Sequence, residues 1–99
     1  MGKQITQFDV NRKILAFQRK WKEEEKRYKT DINLLLWDIH RTSRDWDHWA
    51  KGHGTPEEMF GSKNHRYVGW SKSQFQQLHE AAQKVIKELM WKYYKQEWQ

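Results

Sequence analysis

The chain has no cysteine. Disulfides, thiolate nucleophiles and cysteine-bound zinc are therefore excluded. Proline occurs once, at Pro56, and of five glycines all but Gly2 fall between Gly52 and Gly69. From Lys3 to Lys51 there is neither glycine nor proline, so nothing in that stretch forces a helix to stop. Aliphatic residues are scarce too. Leu, Ile, Val and Phe together number eighteen in ninety-nine residues, close to the level at which a chain buries too little surface to fold. No run approaches the roughly 20 apolar residues of a membrane span, and no apolar leader follows Met1. Those absences point to a cytoplasmic protein.

What is present offsets the aliphatic shortage. Seven Trp and four Tyr each bring on the order of 150–250 Å² of buriable surface, which predicts an aromatic core with rings left over for a partner. The length fits one domain, residues 1–99. A net charge of +6 favours an acidic partner: nucleic acid, an anionic membrane or an acidic protein face. Thirteen acidic residues are interleaved with the nineteen basic ones, so nucleic acid is permitted and not demanded.

The distribution of glycine and proline reads as a long helical region, a connector and a second helical region. Apolar positions in the first region are Val10, Ile14, Phe17, Trp21, then Tyr28, Ile32, Leu35, Ile39, then Trp46 and Trp49. Steps of three and four alternate, as in the seam of an amphipathic helix. The seam weakens at Glu24 or Glu25 and again at Thr42 or Ser43. Asp9 or Thr6 suits the first N-cap, and Thr30-Asp31 suits a second. Two helices, about 9–29 and 31–51, follow from this, with one continuous rod as the alternative. The second region opens on Ser71 and Gln74, a capping box, with Trp70 and Phe75 at the hydrophobic-staple positions. It predicts a helix over about 72–97. In the connector, Thr55-Pro56-Glu57-Glu58 is another capping box with Pro at the first helical position, followed by Gly61. One short helical turn over about 56–60 is expected, with Met59 and Phe60 packing down on the long helices. The fold class is thus all-α: a small bundle of two or three long helices joined by a Gly-rich connector.

Chemistry is harder to find. His40, His48, His53, His65 and His79 show no HExxH or comparable ligand spacing, and read as solvent-facing or helix-end residues. Glu23 with Arg27 and Glu25 with Lys29 have the i, i+4 order of solvated ion pairs. No Gly-rich phosphate loop, nucleophile elbow or Ser-His-Asp pattern is present in the sequence. The expectation is a non-enzyme with no cofactor and no metal. Residues Val68 to Leu78 superficially resemble the turn and recognition helix of a helix-turn-helix, but the segment before them, GSKNHRY, lacks the apolar pattern of a preceding helix.

Two surfaces stand out. Arg12-Lys13, Arg19-Lys20 and Lys26-Arg27 recur every seven residues, hence on one helix face. With Lys63, Arg66 and Lys72 they make a basic stripe for phosphates or an acidic protein. Trp46 and Trp49 close the first region, and Trp91, Tyr94 and Trp98 crowd the end of the last helix. Those five are the expected protein interface, the alternative being that they cover Trp21, Trp37 or the connector within one subunit. Two heptad-like stripes make a homodimer a further expectation.

The best reading from sequence is a binding protein docking on a protein partner through aromatics and a basic helix face. An inhibitor or modulator of a host machine, of the kind phages and mobile elements encode, fits that description. Nucleic-acid binding through the Arg12–Arg27 stripe is the alternative. A third reading, below both, is a membrane-surface protein: Met1-Gly2-Lys3-Gln4-Ile5-Thr6 fits an N-myristoylation pattern, although one acyl chain anchors only weakly.

Overall fold

The computed structural model describes residues 5–28, 31–55, 67 and 69–96. These form three helices, α1 (Gln7–Arg27), α2 (Ile32–Ala50) and α3 (Lys72–Tyr94), with no strand among the described residues. The architecture is the expected all-α bundle. The predicted turn at 56–60 lies outside the described residues, as do Gly2, Thr30, His65 and Trp98.

Each helix begins for a local reason. The Thr6 hydroxyl accepts from the Asp9 backbone N–H while the Asp9 carboxylate accepts from the Thr6 N–H, a reciprocal cap that starts α1 two residues ahead of the expected position. Ser71 and Gln74 close the same kind of box on α3. Trp70 stacks on Phe75 with ring centroids 6.0 Å apart, the staple read from the sequence. Asp31 caps α2 by position alone, since its side chain makes no capping hydrogen bond.

The endings are local as well. The first region is two helices, not one rod. Tyr28 leaves helical geometry at φ −104°, ψ 19°, and Asp31 N–H bonds back to the Tyr28 carbonyl. Helix α2 stops in a Schellman motif, with Gly52 N–H on the Trp49 carbonyl and His53 N–H on the His48 carbonyl. Gly52 supplies the left-handed residue, at φ +78°. Helix α3 ends at Tyr94, short of the expected 97, because Lys95 turns left-handed at φ 54°.

The helices run up, down and up. Polar clasps hold α1 parallel to α3 at both ends. Gln7 and Gln77 exchange amide hydrogen bonds, and Gln74 Nε2 donates to the Ile5 carbonyl. At the far end Lys92 and Tyr93 both donate to the Glu25 carboxylate. Burial of that carboxylate would by itself raise its pKa. The hydrogen bonds from Lys92 and Tyr93 and the Lys92 charge outweigh burial and hold Glu25 below the ordinary glutamate range, while raising Lys92 in return. Of the pairs expected along α1, Glu23 with Arg27 is replaced, since Arg27 lies 3.7 Å from Glu24; Glu25 bridges to α3, and its expected partner Lys29 lies outside the described residues.

The core lies chiefly between α2 and α3. Leu35, Ile39, Trp46 and Trp49 pack on Phe75, Leu78, Ala82, Val85, Ile86 and Leu89, and Trp21 joins from α1. Its broad end is aromatic. Trp49 centres lie 5.3 Å from Phe75 and 5.4 Å from Tyr67, and Phe17 meets Trp46 edge-on at 5.2 Å. Trp46 Nε1 donates to Tyr67 Oη at 3.2 Å, giving that buried N–H its acceptor.

Candidate interaction surfaces

The expected interface aromatics divide. Trp46 and Trp49 are interior rings, 2% and 4% exposed, so the expectation that they face a partner is corrected. They lie on the seam with Leu35 and Ile39, and the large core between α2 and α3 takes them in. Trp91 and Tyr94 are on the surface, 57% and 40% exposed. Trp98 lies outside the described residues. Trp37, which sequence reasoning offered as a ring to be covered, is instead 64% exposed. The signal for it was available: Trp37 sits two residues from both Leu35 and Ile39, which at about 100° per residue places it away from the seam.

The basic stripe also divides. Arg12, Arg19 and Lys26 occupy the outward face of α1 and are exposed. Lys22 joins them, and so do two apolar side chains, Phe8 and Leu15. Phe8, Arg12, Leu15, Arg19, Lys22 and Lys26 follow one another in steps of four and three, a single ridge along the helix. The Arg12 guanidinium lies 5.8 Å from the Phe8 ring centre. Between Asp9 and Glu23 the helix carries no carboxylate.

The remaining stripe residues point elsewhere. Lys13 is turned toward the core, its ammonium 4.8 Å from the Tyr67 ring centre. Lys20 and Arg27 border an open groove of about 680 Å³ between α1 and α2, whose walls include Trp21, Tyr28 and Ile39. Glu24, Asp38 and Asp45 share that rim, so its charge is mixed. Lys72 stands at the start of α3 beside Gly52. Lys63 and Arg66 lie outside the described residues.

Spacing concealed one constellation. Ser43, Asp47 and His79 converge across the α2–α3 seam, although no Ser-His-Asp pattern shows in the sequence. Ser43 Oγ is 2.9 Å from His79 Nδ1 and accepts from Gln83 Nε2 at 2.9 Å. His79 Nε2 lies 3.8 Å from Asp47, which also pairs with Lys51 at 2.9 Å. The Lys51 hydrogen bond, against partial burial and aided by the charges of His79, Lys51 and His48, holds the Asp47 carboxyl below its ordinary range. Ser43 is only 1% exposed and its oxygen is enclosed by side chains of α3. This arrangement joins two helices rather than presenting a nucleophile to solvent.

The other described histidines stay at the surface. His40, His48 and His53 are exposed, and the rings of the last two meet edge-on. No group of three or more His, Asp or Glu side chains converges as a metal site among the described residues. No helix among them is long and apolar enough to cross a membrane. No known protein family, curated protein or solved structure matches the chain.

Proposed function

We propose that the chain is a small non-enzymatic binding protein that docks on a protein partner through aromatic side chains held on rigid helices. One observation carries this reading: Trp37 and Trp91 stay more than half exposed while Trp46 and Trp49 are taken into the buried seam between α2 and α3. Large indoles on a preorganised scaffold are what binding hot spots are made of, because they bury much area at little entropic cost.

Affinity capture from cells of the native host, with nuclease treatment and quantitative mass spectrometry, tests it. Trp37→Ala and Trp91→Ala should each lower recovery of the partner by about 30-fold, the effect of losing roughly 2 kcal/mol at a hot spot. Undiminished capture by both variants sinks the reading.

The carboxylate-free ridge of α1 between Asp9 and Glu23 favours a second reading, nucleic-acid binding. Its mark is salt: affinity for duplex or single strands should fall steeply between about 50 and 200 mM, and Arg12→Glu with Arg19→Glu should abolish it. Phe8 and Leu15 count against it, since exposed apolar side chains on the same ridge add nothing to phosphate contacts.

A further inference from the structure

The outward crest of α1 combines two kinds of side chain on one line. Phe8 and Leu15 are 68% and 51% exposed, and between and beyond them stand Arg12, Arg19, Lys22 and Lys26, all exposed. At about 100° per residue these six fall within roughly 80° of the helix circumference. The seam that α1 turns to the other helices, from Val10 and Ile14 to Phe17 and Trp21, lies roughly opposite. Helices α2 and α3, with their carboxylates, therefore stand behind the crest.

The cations of the crest are not consumed within the fold. Arg19, Lys22 and Lys26 have no ion pair among the described residues, and Arg12 lies against the Phe8 ring. The carboxylates of α1 are mostly engaged elsewhere. Asp9 is held in the Thr6 cap, Glu24 lies 3.7 Å from Arg27, and Glu25 is taken by Lys92 and Tyr93. Glu23 alone is exposed beside the crest, at its far end, one acid against four cations.

These side chains set different demands on an occupant. The cations call for anionic groups spread over about 20 Å of helix, from Arg12 to Lys26, while Phe8 and Leu15 call for an apolar phase at the same crest. A nucleic acid meets the first demand only. A second copy of the chain would set cation against cation. A bilayer with anionic headgroups meets both, because headgroup phosphates and carboxylates lie directly above acyl chains. Long Arg and Lys stems can hold their charges at headgroup level while the two apolar side chains dip below. The crest of a helix is also convex, which a fluid surface accepts without matched register.

We infer that the outward crest of α1 binds anionic membrane surfaces, with Arg12, Arg19, Lys22 and Lys26 on the headgroups and Phe8 and Leu15 inserted between them. This second surface is separate from the docking reading, which rests on Trp37 and Trp91.

Co-sedimentation of the whole protein with sucrose-loaded vesicles tests it, using phosphatidylcholine alone and with about 30% phosphatidylserine, at about 100 mM salt. The protein should pellet with the anionic vesicles and stay in solution with the neutral ones. Each cation near such a surface contributes about fivefold to partition, so Arg12→Glu with Arg19→Glu should lower it at least about 25-fold. Phe8→Ser with Leu15→Ser should lower it about tenfold and leave any binding to random duplex unchanged. Trp37→Ala with Trp91→Ala should pellet as the wild type does. Absence of pelleting with anionic vesicles overturns the inference, and duplex binding lost in the Arg pair would then assign the crest to nucleic acid. Pelleting indifferent to the Phe8 and Leu15 changes, or equal on neutral vesicles, overturns it as well. None of these results bears on partner capture through Trp37 and Trp91.

Discussion

Ser43 Oγ sits 2.9 Å from His79 Nδ1 and accepts a hydrogen bond from Gln83 Nε2, so one small hydroxyl ties α2 to two turns of α3. Ser43→Ala removes the oxygen and leaves the His79 ring and the Gln83 amide each short of one contact. A loss of about 1–2 kcal/mol is expected, read as a Tm lower by roughly 5–10 °C in thermal unfolding. An unchanged Tm contradicts the role assigned to this hydroxyl.

Stability should respond to acid through Glu25 and Asp47. Both have pKa values lowered in the folded chain, so the unfolded state binds protons first as pH falls. Their contribution is therefore complete above the unfolded carboxyl values of about 4 and is lost as pH drops through the lower folded values. Urea midpoints measured from pH 6 down to pH 3 should decline. Glu25→Gln should be less stable at pH 6 and should decline less steeply; parallel curves for the two proteins count against the clasp.

Lys95 occupies left-handed space at φ 54°, a region that costs a residue with a Cβ about 1 kcal/mol. Lys95→Gly should accordingly raise stability by about 0.5–1 kcal/mol. Thermal unfolding checks this directly, and a Tm that falls shows that the Lys95 side chain contributes more than its backbone costs.

Two buried indoles should behave differently when shortened. Trp21 is 8% exposed and its Nε1 has no acceptor among the described residues, whereas Trp46 Nε1 donates to Tyr67. Trp21→Phe removes an unsatisfied donor along with some apolar area, and its net cost should stay within about 1 kcal/mol. Trp46→Phe loses both area and a made hydrogen bond, and should cost at least about 2 kcal/mol. Equal costs in denaturant titrations refute the distinction.

The features legible in the sequence are those whose partners lie within a few residues. Ser71 with Gln74, Trp70 with Phe75 and Gly52 after the first region all act locally, and each appears where spacing puts it. The two-helix form of residues 7–50 was less legible, because no residue near Tyr28 forbids helix and packing decides the break. Ser43 looked like a gap in the apolar seam; it is a buried rung whose partner, His79, lies 36 residues on. Counting rings showed that some must remain outside but not which. Trp46 is inside and Trp37 outside because of their phase against Leu35 and Ile39.

The two clasps on α1 have a consequence for cooperativity. The first helix is fastened to α3 near Gln7 and Glu25 but parts from α2 along the groove, so α2 and α3 hold most of the core without it. Released at its ends, α1 can open as one foldon while the α2–α3 hairpin persists. Amide hydrogens of α1 should then exchange together and ahead of those at Ile39 or Leu78, with a lower opening free energy that acid, by unfastening Glu25, reduces further.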